Sequence, residues 1–221
     1  MATYLVTGAN RGIGLEFCHQ LKERGECVIA VCRSASEELN NLGISLETNV
    51  DITSDESVSN LVERLDGEPI DVLINNAGIV ERTSLANLDF ESIRRQFEVN
   101  AVGSLRITQA LLPNLRKGSK VIIMTSRMGS IEDNTSGGSY GYRMSKVALS
   151  MAGKSLSVDL KPQGIAVAIL HPGLVKTRMT NFTNSGITPE QSVKGLLTRI
   201  EELNLENTGT FWHSNGEVLP W

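Results

Sequence analysis

Cysteine is scarce in this chain of 221 residues: there are three, and none falls in a C-x-x-C pair. Cys27 and Cys32 have opposite parity along one apparent strand, so they point to opposite sheet faces, and Cys18 stands apart from both. A disulfide framework is not expected; buried free thiols in a cytoplasmic protein are. Long apolar runs are missing too, and nothing approaches the roughly 18 residues of a membrane helix. The first apolar run, Tyr4-Leu5-Val6, passes straight into a glycine turn without the basic flank and cleavage site of a secretory leader. Nor is there a long basic tract. With 21 basic and 25 acidic residues the formal charge is −4, which argues against nucleic acid or an anionic membrane as partner. His19, His171 and His213 are far apart and have no supporting Cys or acid cluster, so no metal site is expected. No G-x-S-x-G elbow surrounds Ser126, which sets aside a hydrolase triad with His171. Internal repeats, low-complexity segments and linkers are lacking, and the length suits a single domain over 1–221.

What is present alternates. Short apolar, β-branched runs at 3–7, 27–32, 45–49, 72–75, 120–125, 165–171 and 210–212 read as strands. Runs such as Val28-Ile29-Ala30-Val31 and Val121-Ile122-Ile123-Met124 are apolar at every position, as strands covered on both faces are. Amphipathic stretches fill the gaps, giving expected helices at 12–24, 36–42, 54–65, 89–116, 142–160 and 188–202. Thr53 or Ser54 followed by Asp55 and Glu56 marks a helix start, Gly25 a stop, and Pro189 a first turn. Strand and helix in alternation predict right-handed crossovers and a doubly wound α/β fold, with a mostly parallel seven-stranded sheet between two helical layers.

The first strand runs into Thr7-Gly8-Ala9-Asn10-Arg11-Gly12-Ile13-Gly14, which opens a helix. Glycines there let the backbone approach a pyrophosphate, while free N–H groups and the positive helix end face its charge. The spacing G-x-x-x-G-x-G differs from the commoner G-x-G-x-x-G, and a tight turn needs glycine for structural reasons alone; the strand before and the helix after strengthen the reading. A site for NAD usually carries an acid about 20 positions after the glycines. Here the second strand ends Val31-Cys32-Arg33-Ser34, with no carboxylate before Glu37. Arg33 and Arg11 are placed to bind a 2′-phosphate through paired hydrogen bonds, which favours NADP(H).

Further along, Tyr140 and Tyr142 stand two apart, and only Tyr142 has a lysine, Lys146, one helical turn on. An ammonium close to a phenol, whose ordinary pKa is near 10, is expected to lower it toward a useful proton shuttle. Ser126 follows the fifth strand, on the side where open α/β sheets hold ligands, and its hydroxyl suits a developing negative charge. Asn100 lies inside the expected 89–116 helix, where a polar residue needs a partner and reads equally as a kink or core-satisfying group. Met128 and Met179 adjoin these segments as candidate pocket walls.

In this order and spacing, these residues resemble the short-chain dehydrogenase/reductase family from residue 3 to 221. The matching pieces are Thr7-Gly8 to Gly14, Asn75-Asn76-Ala77-Gly78, Asn100, Ser126, Tyr142 with Lys146, and Pro172-Gly173 with Thr177. Within the family, Ser126 to Ser130 and Gly137 to Arg143 are similar to sniffer-like and C-factor-like carbonyl reductases. The resemblance implies a Rossmann fold and a Ser126, Tyr142, Lys146 triad, with Asn100 anchoring a water that connects Lys146 to solvent. It implies cofactor contacts from Gly8, Asn10, Arg11, Gly12, Ile13 and Gly14. Further contacts would come from Arg33, from Asp51 and Ile52 beside the adenine, and from Asn76, Ala77 and Gly78. At the nicotinamide it implies Tyr142 and Lys146 with Pro172, Gly173, Val175 and Thr177. The implied activity is NADPH-dependent reduction of ketones or aldehydes, reversible, by a homodimer or homotetramer built on 89–116 and 142–160. The alternatives are a 3-oxoacyl thioester reductase, disfavoured by the lack of a local basic patch, and a dinucleotide-binding signalling protein. Two departures stand out: Ser126 and Tyr142 are 16 positions apart, which enlarges the loop, and 179–188 is short, which implies an open pocket.

Overall fold

A computed structural model describes all 221 residues. Seven strands, β1 (Thr3–Thr7), β2 (Cys27–Val31), β3 (Ser45–Glu47), β4 (Val72–Asn75), β5 (Lys120–Met124), β6 (Ala166–His171) and β7 (Phe211–His213), form one sheet in the order β3-β2-β1-β4-β5-β6-β7. Every neighbouring pair is parallel, so the sheet is wholly parallel where the sequence predicts mostly so. Strand order reverses between β1 and β4. In doubly wound sheets the crevice at the carboxyl ends of such strands receives ligands.

Side-chain alternation along the strands divides the core in two. Val6, Ala30, Ile74, Ile122 and Leu170 face α1 (Gly12–Glu23) and, across the same layer, α7 (Pro189–Glu202). Leu5, Ile29, Leu73, Ile123 and Ile169 face α3 (Asp55–Leu65) and the α5 (Gly103–Ala110) and α6 (Tyr140–Leu160) helices. Both faces are dry, which explains why the strands are apolar at consecutive positions. Cys18 and Cys32 lie in the first cluster, and burial pushes the Cys18 thiol up to about 12; Cys27 is only half-buried, against expectation.

Local chemistry sets the boundaries. Ser54 caps α3 by accepting from the Ser57 N–H at 3.2 Å, and Thr188 forms a capping box with Gln191 at the start of α7, where Pro189 takes the first turn. The stretch 36–42 contributes only α2 (Glu37–Asn40), capped by Ser36.

The expected single helix 89–116 is corrected. It divides into α4 (Phe90–Phe97), a π-helical turn at Glu98–Val102 and α5; Pro113 sits in a separate 3-10 turn, Leu112–Asn114, where its missing N–H rules out α-helical continuation. The other long helix starts at Tyr140 rather than 142, so both tyrosines belong to α6.

α6 lies close against the sheet because Gly153 presents no side chain. A Cβ there would stand 2.8 Å from Ile169 Cγ1 and 3.3 Å from Ile123 Cγ1. Gly153→Ala is therefore expected to destabilise the fold by about 1–3 kcal/mol through overpacking, as read by chemical denaturation. Adding Ile169→Val is expected to recover part of that loss; a single variant as stable as the parent would contradict this account of the contact.

Candidate active site

Two backbone turns at the switch point are held together by one hydroxyl. Thr7, the last residue of β1, accepts at Oγ1 from the N–H groups of Asn76 and Ala77, both at 3.1 Å, and donates to Ile74 O. Asn76 returns the contact, its Nδ2 donating to Thr7 O at 3.0 Å and Gly8 O at 3.3 Å. At this approach no side chain fits. A Cβ on Gly8 would stand 2.8 Å from Ala77 Cα, and one on Gly14 would overlap Gly8 O and reach 2.6 Å from Asn76 Nδ2. Gly8 and Gly12 also have positive φ, +67° and +56°. Gly14, Ile13 and Gly12 form the first turn of α1, which no side chain caps, leaving its N–H groups for an anion. Asn10 is half-buried in the same turn.

On the β2 side, Arg11 and Arg33 are exposed and have no carboxylate partner. Asp51 accepts at Oδ1 from the Thr53 N–H at 2.9 Å and the Thr53 hydroxyl at 2.7 Å. These bonds hold its carboxyl below the usual range, with a smaller pull from the Arg33 charge. Ile52 is buried beside it, against Gly103. Across the crevice, Gly173 has φ +86° and lies against Ile187 and His213. Pro172 O accepts from Ser192 Oγ at 2.7 Å, Val175 is buried and bridges to Ile187, and the Thr177 methyl lies 3.4 Å from where a Gly12 Cβ would be. The cofactor residues singled out in the sequence thus follow the carboxyl ends of β1, β2, β3, β4 and β6, with Tyr142 and Lys146 on α6. The short 179–188 stretch folds back onto 174–176 through the Ile187 N–H to Leu174 O at 2.8 Å and the Lys176 N–H to Ile187 O at 2.9 Å.

The polar centre lies between the π turn and α6. Asn100 is fully buried; its Oδ1 accepts from the Ile79 N–H at 2.7 Å, and its Nδ2 donates to Ile79 O and Ser145 Oγ, both at 2.9 Å. Ser145 Oγ donates in turn to Tyr142 O at 2.8 Å. One turn earlier, Gln96 grips Glu81 in the same way, accepting from its N–H at 2.9 Å and donating to its carbonyl at 3.1 Å. Two amides four apart on a helix thus hold alternate residues of an extended strap. The core-satisfying reading of Asn100 holds, and it sits within the π turn. Gly78 lies over this centre: a Cβ on it would stand 3.1 Å from Asn100 Oδ1 and 3.6 Å from Lys146 Nζ.

Lys146 Nζ donates to Met124 O at 2.9 Å and lies 5.8 Å from the Tyr142 ring centroid. Burial pushes this ammonium down to about 8. For Tyr142 the expected direction is corrected. Burial raises its phenol; the Ser126 hydroxyl and the Arg82 charge pull it down, and burial prevails. One helical turn brings the lysine over the ring, and its ammonium bonds the carbonyl of Met124 at the end of β5. Ser126 is buried, with Oγ accepting from the Met128 N–H at 3.1 Å. Its loop meets α6 at Gly129, where a Cβ would stand 2.8 Å from Lys146 C. Gln96, Ser145, Gly129 and Arg82 were missed in the sequence; only Gly129, a glycine beside a site motif, carried any signal.

Comparison with known proteins agrees with this geometry. A family model for short chain dehydrogenase matches residues 2–188. The 1-hydroxy-2-glutathionyl-2-methyl-3-butene dehydrogenase of Rhodococcus sp. strain AD45 is 45% identical over 100% of both chains. C-signal of Myxococcus xanthus is 46% identical over 69% of this chain and 93% of its own. Among solved structures, the NADPH-bound carbonyl reductase from chicken fatty liver superposes with a TM-score of 0.91 at 31% identity, covering 100% of this chain and 99% of that one. The carbonyl reductase Sniffer of D. melanogaster gives 0.92 at 30% identity, with 100% of both chains covered. A glycine cradle at the switch point, a buried phenol and lysine on one helix, and relatives matching at full length lead to one conclusion: this chain is an oxidoreductase of the short-chain dehydrogenase/reductase family.

Proposed function

We propose that the chain is a carbonyl reductase that interconverts carbonyl compounds and alcohols with NADP(H). The observation that carries this reading is the buried group of Ser126, Tyr142, Lys146 and Asn100 beside a cradle in which side chains at Gly8 and Gly14 would clash. Gly8 to Gly14 with Asn76 to Gly78 would hold the dinucleotide, Asp51 and Ile52 its adenine side, and Pro172, Gly173, Val175 and Thr177 the nicotinamide side. Bound there, NADP(H) supplies or accepts the hydride.

The chain's own groups manage the proton. Ser126 Oγ would hold the substrate oxygen and stabilise its developing negative charge. Tyr142 would give its proton to that oxygen in reduction. Burial, which raises the phenol, favours its protonated form, the form that donates to the substrate oxygen in reduction. Lys146, held near 8, keeps a positive charge beside the ring over the same range, and Asn100 would act on the site by fixing the strap after β4 against α6. Intact catalytic groups support an enzyme over a signalling role on the same scaffold. The Rhodococcus relative, by its name a dehydrogenase of a hydroxylated compound, supports a small-molecule alcohol or carbonyl substrate.

Tyr142→Phe is expected to lower turnover about 10²–10⁴-fold on a panel of ketones and aldehydes while NADPH still quenches tryptophan fluorescence; full activity in the variant would remove Tyr142 from the mechanism. The rate of reduction is expected to hold through neutral pH and fall above about 8, where Lys146 loses the charge that burial has made easier to lose. A profile still rising at about 10, the ordinary phenol pKa, would reverse that assignment. Arg33→Ala is expected to raise KM for NADPH about tenfold and leave KM for NADH in place, since only the former offers a 2′-phosphate. An unchanged preference, or a wild type equally fast with NADH, would point to an NAD(H) enzyme.

A further inference from the structure

The arginines are paired unevenly. Of the thirteen in the chain, eight hold a carboxylate: Arg24, Arg64, Arg94, Arg95, Arg106, Arg116, Arg127 and Arg199. The other five, Arg11, Arg33, Arg82, Arg143 and Arg178, have none, although acids outnumber bases by 25 to 21. All five lie at the carboxyl edge of the sheet: after β1, after β2, after β4, on the first turn of α6 and after β6. Arg11 and Arg33 answer to the cofactor phosphate. The remaining three lie along the same edge without a carboxylate partner, and of these only Arg178, beside Thr177 at the Gly12 turn, has the cofactor pyrophosphate as a second claim on its charge.

Arg82 is exposed, four residues past Gly78, and its charge acts on the Tyr142 phenol. Arg143 follows Tyr142 directly. Its guanidinium is fixed by neutral oxygens only, Ser136 Oγ at 2.8 Å, Gly137 O at 3.2 Å and Met128 O at 3.4 Å, so it braces the enlarged 126–142 loop while its charge stays uncompensated. Arg178 follows Thr177, whose side chain lies against the site of Gly12. Solvated arginines scattered over a surface would need no explanation. Here every unpaired one is on the edge that carries the crevice, and cations around a crevice focus the field on anionic ligands.

We propose that the substrate carries, besides its carbonyl or hydroxyl, an anionic group, a carboxylate or a phosphate, held by Arg82 within a rim completed by Arg143 and Arg178. The inference rests on the carbonyl–alcohol reading and narrows its substrate class. Guanidinium pairs both anions through two parallel hydrogen bonds, so the two share one chemistry.

Three aldehydes alike except in charge test it: 4-carboxybenzaldehyde, 4-formylphenyl phosphate and neutral methyl 4-formylbenzoate, each reduced with NADPH by the full chain. At least one anion is expected to exceed the ester about tenfold in kcat/KM, and which one does identifies the group. That advantage should shrink from about 50 to about 500 mM NaCl, as screening tightens. Arg82→Gln should cut the anion-to-ester ratio about tenfold, chiefly through KM for the aldehyde, with KM for NADPH unchanged. An ester reduced as well as or better than both anions would overturn the inference and leave the carbonyl reading standing. Preference for an acetoacetyl thioester of acyl carrier protein over all three would overturn it in favour of a protein-borne substrate. No reduction of any of them, with NADPH or NADH, would bring down the carbonyl reading and the inference with it.

Discussion

The site depends on a polar side chain buried where only complete hydrogen bonding makes burial tolerable. Asn100 has no exposure, and its amide joins the Ile79 backbone to Ser145, hence to the carbonyl of Tyr142. An unpaired buried amide would cost about 1–3 kcal/mol, so the strap after β4, the π turn and α6 are each held in register by the same group. Gln96 repeats the grip one turn earlier on Glu81. The π turn is where a helix accommodates this demand: the backbone is rewound so that the amide meets the strap rather than the next turn.

Close backbone approach is the second constraint. Gly8 against Ala77, Gly14 against Asn76 and Gly129 against Lys146 are contacts that a methyl group would break. They bring the glycine turn against the loop after β4, and the loop that carries Ser126 against the helix that carries Tyr142. Desolvation follows from that closeness and sets the electrostatics. It lowers the charge affinity of Lys146 and raises the phenol of Tyr142, opposite movements with one cause, since burial disfavours the charged form of each.

Much of this was readable beforehand. Consecutive apolar residues in β2 and β5 marked strands covered on both faces, and alternation with helices gave the doubly wound class; strand ends differ by one or two residues. The glycine turn at the start of α1 and the placing of Tyr142 and Lys146 one turn apart on α6 were legible from spacing because those features are local. The single helix over 89–116 was wrong because helical periodicity persists through a π turn and says nothing of the strap that Asn100 must reach. The net upward movement of the Tyr142 phenol escaped local reading for a similar reason: i to i+4 spacing gives proximity, whereas the balance of charge against burial depends on what else covers the ring.

Amino-acid order by itself determined the class of fold, the glycine turn and the pairing of Tyr142 with Lys146 on one helix, since each follows from short-range pattern and the geometry of one strand or helix turn. Packing alone decided which groups Asn100 and Gln96 bond, in which direction the phenol moves, and that five arginines without acid partners lie along one edge of the sheet. Those arginines come from segments up to 167 positions apart, between Arg11 and Arg178, so no window along the chain contains them together. Long-range burial and charge pairing are sums over neighbours that only the folded chain brings into contact.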